Sequence, residues 1–501
     1  MSVQPSAKYT PLAAASRQRL AVVGGGVSGM AAAIRMAAKG YHVSLYEAGP
    51  ELGGKLSDTR IADFRFDNGP SLFTLPELLE GLFADAGYEL KAYLDYEKLD
   101  LVCRYFYPDG STINAWADPQ RLAEEIELKT GVSTKRLSRY FKRAELMYET
   151  TTPVFLEKSL HKLTNYLNFP TLKGLVRLPL LGVFSSMHAF NQRWLRDKRL
   201  VQLFDRFATY NGSDPYRAPA TLVQIAHIEH QKGAWYPKGG MIAIRDAMQA
   251  LLLELGVAIK MNTPVDGFVT SPKGITGLRV KDEVHQYDKV IFAGDIQQAY
   301  DRLLPGAIVS RKTAPAELST SALIFHWGVR GNFPDLDLHN IFFSQDYKQE
   351  FIDLAAAKVP EDPTIYVYVS AKHNPADAPV GHENWFVMIN TPSDSGQDWS
   401  QEASRMRAIL LKRLEVALAV DVEAKIVSEQ ITTPISLAGR TGSQGGAIYG
   451  RASNNKFSAF LRHPNYSSTI PGLYFCGGSV HPGGGIPLCL HSARIVEQLI
   501  G

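Results

Sequence analysis

The apolar positions of this chain fall into short, well-bounded runs. Arg19-Leu-Ala-Val-Val23 is a continuous apolar block that ends on glycines, the pattern of a strand buried on both faces of a parallel sheet. Residues 30–39 (Met30 to Lys39) are rich in alanine and other good helix formers and stop at Gly40, so they predict a helix. Tyr41-His-Val-Ser-Leu-Tyr46 predicts a second strand. Further on, residues 86–230 read as mostly helical, with 120–129 as the clearest helical period. Residues 320–395 carry strand-like runs at 321–327 and 364–370, and 374–379 reads as a loop. There is no internal repeat and no low-complexity tract. No run of eighteen apolar residues occurs, so no segment predicts a membrane-spanning helix.

Between the first strand and the first helix stands Gly24-Gly25-Gly26-Val27-Ser28-Gly29, a G-x-G-x-x-G. Each position has a physical task. Gly24 allows the tight turn, and Gly26 lets a pyrophosphate approach the backbone, with Val27 and Ser28 at the helix start. Gly29 allows the helix to pack close to the strand. The helix N-terminus then offers free N–H groups and a positive dipole end. Glu47 follows 18 residues after Gly29 and ends the second strand, where a carboxylate accepts hydrogen bonds from ribose hydroxyls and repels a 2′-phosphate. A nicotinamide and a flavin dinucleotide fit this unit equally well.

Composition narrows the rest. At 501 residues and 45% hydrophobic, the chain is long enough for two or three folding units. A net charge of +3 predicts no nucleic-acid partner. Cys103, Cys476 and Cys489 match neither a disulfide framework nor a zinc pattern, so no metal site is expected and the chain reads as cytoplasmic. The first nineteen residues lack a signal-peptide apolar stretch.

Downstream come Gly53-Gly54-Lys55 and Phe66-Asp67-Asn68-Gly69-Pro70-Ser71. Later blocks are Tyr210-Asn-Gly-Ser-Asp-Pro215, Tyr236-Pro-Lys-Gly-Gly-Met241, Thr263-Pro-Val265 and the strand Lys289-Val-Ile-Phe-Ala-Gly-Asp295. The chain closes on Gly472-Leu-Tyr-Phe-Cys-Gly-Gly-Ser-Val-His481-Pro482-Gly-Gly-Gly485-Ile-Pro487 and a helical stretch. In these blocks, from residue 20 to 498, it resembles the bacterial-type phytoene desaturases, within the amine-oxidase-like flavoproteins. The resemblance implies bound FAD. It places Gly54 and Lys55 along the pyrophosphate and ribityl side, Gly69, Pro70, Ser71 and Leu72 beside the isoalloxazine, and Val265 at the adenine edge. Gly478, Ser479, Gly485, Ile486, Pro487 and Leu488 match the closing flavin motif. A glycine-rich turn opening a helix suits that role, since its N–H groups can stabilise the negative charge of a reduced ring. The family's usual alanine or threonine among these glycines is absent here, and this variant is most similar to the hydroxycarotenoid 3,4-desaturase branch.

The implied fold class is α/β: a Rossmann-type FAD-binding domain assembled from three chain segments, with a mixed α+β substrate domain and helical cap. The expected boundaries are 1–85, 235–300 and 440–501 for the cofactor domain. Residues 86–234 form a helical, membrane-facing region, and 301–439 form the sheet and helices of the substrate domain. The implied reaction is desaturation of a 1-hydroxylated acyclic or monocyclic carotenoid at the 3,4 bond, with hydride passing to flavin N5. The nearest alternatives are phytoene desaturation and polyene isomerisation or saturation. A lipid-binding chaperone on the same fold is the non-enzyme alternative. No second G-x-G-x-x-G follows a strand, which points to oxygen or a quinone as electron acceptor. No catalytic base is assigned: His481 reads as a loop histidine bonded to backbone, and Asp67 and Asp295 as turn-forming or capping carboxylates. Eight Lys or Arg between 158 and 199 (Lys158, Lys162, Lys173, Arg177, Arg193, Arg196, Lys198, Arg199), interleaved with apolar groups such as 178–184, suit a peripheral membrane patch.

Overall fold

A computed structural model describes residues 18–162, 185–304, 317–455 and 462–501. Its nucleotide-binding sheet has five parallel strands, in the order Leu473–Phe475, Lys289–Phe292, Arg19–Val23, His42–Tyr46 and Ala258–Lys260. Strands from three distant stretches of chain thus form one sheet. Helix Val27–Ala38 covers one face, with Ala31, Ala32 and Ala33 almost fully buried. Those small side chains let Ile242–Glu254 and the C-terminal helix Ile486–Ile500 pack against it. Arg35 fastens this layer, its Nη1 lying 2.8 Å from both Asp85 and Glu497.

The second sheet has seven strands, ordered Ile426–Thr432, Ser321–Arg330, His382–Thr391, Ile365–Tyr368, His339–Phe342, Leu101–Phe106 and Thr112–Trp116. All neighbours are antiparallel except the pair His339–Phe342 and Leu101–Phe106. Two of these strands come from the stretch read as mostly helical. Leu101–Phe106 is a short apolar run, and such a run is stabilised as a strand by a sheet edge that its own period does not reveal. Helices Pro119–Thr130, Thr134–Thr151, Met187–Leu195 and Lys198–Asp205 then close over this end of the sheet, sharing one apolar core with it.

Among the described residues no helix is long and apolar enough to cross a membrane, and no cluster of metal-ligating side chains occurs. Of the basic stretch, Lys162, Arg193, Arg196 and Lys198 are exposed and Lys158 is half-buried. Arg199 is engaged instead: its guanidinium lies 3.6 Å from Asp197 and donates to the Lys129 carbonyl at 2.7 Å. Lys173, Arg177 and residues 178–184 lie outside the described residues.

Candidate active site

The first strand ends in the glycine turn, and the close contact there is between Gly29 and Gly24. A Cβ on Gly29 would stand 1.9 Å from the Gly24 carbonyl oxygen, so only glycine lets this helix start where it does. Gly29 accordingly packs inside and does not line the cavity. Gly26 precedes the helix, has open space on its Cα, and no side chain caps the helix. That leaves N–H groups and the dipole free for an anion. Glu47 is held beside them, its Oε2 accepting from Gly25 N at 2.7 Å and its Oε1 from Gly49 N at 2.8 Å. Val265 lines the cavity next to Thr263, whose N–H donates to the Glu47 carbonyl at 2.8 Å.

The opposite wall carries Gly54, Lys55 and the 69–72 loop. A Cβ on Gly69 would lie 1.8 Å from the Lys55 carbonyl oxygen, so only glycine lets these two turns of the wall approach so closely. The Lys55 ammonium donates to the carbonyls of Ala447 and Ile448, and burial lowers it to about 8. Ser479 Oγ accepts from Ile296 N at 2.9 Å, which ties the closing motif to the turn after Lys289–Phe292. Gly485 then opens helix Ile486–Ile500, again without a side-chain cap. Two uncapped helix N-termini therefore face one cavity of about 860 Å³, near the upper end for ligand sites. Val27, Ser28, Pro70, Ser71, Leu72, Gly478, Ile486, Pro487 and Leu488 line it together with the residues above. A dinucleotide, extended and anionic at its centre, fits this lining.

The same cavity continues between the seven-stranded sheet and the helical layer, past Val102, Ile324, Ile341 and Phe386. Apart from Ser71 and Tyr210, its polar groups there were not singled out from the sequence. Tyr366 OH donates to Ser71 Oγ at 2.7 Å and accepts from His339 Nδ1 at 2.8 Å; burial lowers His339 to about 3, so its ring is neutral. Arg206, Tyr210 and Glu229 form a second buried group on the wall. Tyr210 belonged to a recognised block, but Arg206 and Glu229 sit in ordinary amphipathic stretches with no sequence signal of their own.

The three candidate acid–base residues are otherwise occupied. His481 Nε2 lies 3.1 Å from the Lys158 carbonyl, and burial lowers the ring to about 4. Asp295 caps a helical turn through Gln297 N at 3.0 Å. Asp67 lies in a buried ion pair with Arg65 at 2.6 Å.

The flavin containing amine oxidoreductase family matches residues 27–496, almost the whole chain. The chain belongs to this family. It is therefore an oxidoreductase and a flavoprotein. It is 42% identical to a 1-hydroxycarotenoid 3,4-desaturase of Flavobacterium sp. (strain P99-3), over 96% of this chain and 98% of that protein. It is 32% identical to a 4,4'-diaponeurosporene oxygenase of Staphylococcus haemolyticus, over 97% of each chain. Among solved structures, an oxidoreductase from Methanosarcina mazei matches with a TM-score of 0.63 and 14% identity, over 96% of this chain and 100% of that one. That likeness concerns the fold. The resemblance drawn from the motifs is upheld: these relatives carry the desaturase and oxygenase names of carotenoid enzymes.

Proposed function

We propose that this protein is an FAD-dependent carotenoid desaturase that introduces the 3,4 double bond into a 1-hydroxylated acyclic or monocyclic carotenoid. One observation carries the reading. A chamber walled largely by apolar side chains opens directly onto a dinucleotide cradle, in a chain so close over its full length to a desaturase of that type. The reaction acts on a CH–CH bond, from which a hydride equivalent and a proton leave neighbouring carbons. When bound, the flavin supplies the two-electron acceptor. The chain's residues do the rest: Gly26, Val27 and Ser28 receive the pyrophosphate, Glu47 accepts from the ribose, and Val265 meets the adenine edge. Gly69 to Leu72, with Gly478, Ser479 and Gly485 to Leu488, would hold the ring against the chamber, whose walls keep water from the reacting carbons. The lack of a second dinucleotide fingerprint in the sequence supports oxygen or a quinone as the final acceptor.

The purified protein is expected to be yellow, with a flavin absorption spectrum and FAD released on denaturation. Glu47→Ala is expected to weaken FAD retention by about 2 kcal/mol, roughly thirtyfold, the loss of one charged acceptor. A colourless wild type that ignores added FAD would point to the lipid-chaperone alternative. Incubation with phytoene and, separately, with a 1-hydroxylated carotenoid tests the substrate. Loss of two hydrogens from the hydroxylated compound alone, followed by absorption and mass, is the expected result. Stepwise desaturation of phytoene would move the protein to the parent activity.

The exposed cations Arg193, Arg196 and Lys198 support peripheral attachment to an anionic membrane, from which a lipid-soluble substrate enters. Replacing all three by Gln is expected to reduce salt-sensitive co-sedimentation with anionic liposomes. Equal sedimentation of wild type and variant would refute the patch.

A further inference from the structure

The flavin cradle makes no use of Arg206 and Glu229, yet both line the chamber and are buried, 7% and 1% exposed. Arg206 opens the tight helical run Arg206–Asn211. Glu229 lies in the π-helical turn Ile228–Lys232, a local bulge of the kind often found at functional sites. The guanidinium Nη2 donates to Tyr105 OH at 2.8 Å and to Tyr210 OH at 3.3 Å. Tyr210 OH in turn donates to Glu229 Oε2 at 2.6 Å. Arg206 Nη2 and Glu229 Oε1 are 3.8 Å apart, an ion pair without a hydrogen bond.

Two atoms of this pair remain unmatched. Arg206 Nε is a buried donor without an acceptor, and Glu229 Oε1 is a buried acceptor without a donor. The neighbouring His230 Nε2 stands 4.0 Å from that oxygen, too far to donate to it. Buried polar atoms are nearly always paired, and a buried ion pair is seldom retained for stability alone. Here one shares the chamber's lining with Cys103, Leu222, Ile225 and Ile341, in a wall where apolar side chains would serve a hydrocarbon better. An unmatched donor and an unmatched acceptor are what a hydroxyl group satisfies, since it can both give and accept a hydrogen bond.

The position suits the reaction. The hydroxyl at C1 is two carbons from C3, so its receptor must stand close to the 69–72 loop. The sheet links the two: Tyr366 OH donates to Ser71 Oγ at 2.7 Å, and Tyr366, Ile341 and Tyr105 are register partners on three adjacent strands, so the hydroxyl that accepts from Arg206 stands two strands from the residue that touches the loop.

We infer that the Arg206–Glu229 pair is the receptor for the tertiary hydroxyl of the substrate, which donates to Glu229 Oε1, while Tyr105 and Tyr210 hold the pair in place. The inference rests on the desaturase reading above and adds the residues that select the hydroxylated end. Glu229 is then a specificity residue. A pure hydrocarbon end would leave Oε1 unpaired and would be disfavoured.

The test compares kcat/KM for a 1-hydroxylated carotenoid and for the same polyene without the hydroxyl. Two variants are used, each checked for flavin absorbance and thermal unfolding. Glu229→Gln keeps the shape, and is expected to lower the hydroxyl preference roughly tenfold with flavin content unchanged. The double variant Arg206→Met with Glu229→Leu replaces the pair by apolar groups, an exchange that folds in other buried ion pairs. It is expected to bring the ratio to about one and to retain turnover of the hydrocarbon. Should the double variant fail to fold, the Glu229→Gln ratio decides by itself. A wild-type preference that survives in Glu229→Gln overturns the receptor while leaving the desaturase reading intact. A wild type without preference for the hydroxylated compound overturns both.

Discussion

Arg65→Met is expected to lower folding stability by about 3–5 kcal/mol, because it leaves two buried carboxylates without their cation. Arg65 is 5% exposed, and its guanidinium reaches Asp67 at 2.6 Å, Asp377 at 3.1 Å and Asp58 at 3.1 Å. Asp67 also accepts from Met241 N at 3.2 Å and Tyr368 OH at 3.1 Å. One side chain thus pins the strand Phe64–Asp67, and with it the 69–72 loop, to Asp377 in the connection between the inner strands Ile365–Tyr368 and His382–Thr391. Burial pushes the carboxyls of both Asp67 and Asp377 up, and Arg65 opposes that push. Without Arg65 their folded values rise further above the unfolded one. Stability from a carboxyl with a raised value is present at low pH and lost as pH rises, so the deficit of the variant should be smaller at pH 5 than at pH 7. Urea unfolding at the two pH values measures this. A loss below about 1 kcal/mol, equal at both, would show that water or repacking replaces the arginine.

Lys55→Met is expected to have opposite effects on the flavin-free and flavin-bound protein. Burial lowers the Lys55 ammonium from 10.5 to about 8, so charging it inside the fold costs about 3 kcal/mol. Below pH 8 both the folded and the unfolded protein carry the charge, and this cost is present in full. Between pH 8 and 10.5 the folded protein gives up its proton first, so the cost is relieved as pH rises. At pH 7 the flavin-free variant should therefore be more stable than the flavin-free wild type, by up to that amount, with the gap closing toward pH 10.5. Flavin binding should weaken at the same time, since the cation proposed to lie along the pyrophosphate is gone. Thermal unfolding of both flavin-free proteins across pH 7 to 10, with FAD titration of each, provides the check. A variant that is destabilised at every pH would mean that the bonds to Ala447 and Ile448 outweigh the buried charge.

Lys55 and Asp67 stood within blocks that the sequence made visible, but Arg65 and the other partners did not. Strand, glycine turn, helix, second strand and Glu47 lie within about thirty consecutive residues, and the geometry of such a unit follows from spacing alone. The turn at Gly24, the closeness at Gly29 and the carboxylate at Glu47 therefore follow from chain order, as does the helix after Gly485. The residues Asn68-Gly69-Pro70 by their type mark a turn, which is as far as the sequence goes there. They could not identify what lies across from it.

Those opposing groups come from contacts between remote parts of the chain. Arg65 meets Asp377, 312 residues later, and Lys55 reaches the Ala447 carbonyl, 392 residues later. Arg206 joins Tyr105, 101 residues earlier, through two elements whose own patterns are those of an ordinary helix and an ordinary apolar strand. The strand Leu101–Phe106 belongs to the sheet only because His339–Phe342 offers it an edge, and nothing within six residues records that edge. The chain alone therefore determined the glycine turn, the helix it opens and the carboxylate at Glu47, whose parts are local and whose chemistry depends on backbone geometry. Only the tertiary structure decided the chamber and its buried Arg206–Glu229 pair, because burial and the pairing of charges are properties of packing between segments that sequence order leaves far apart.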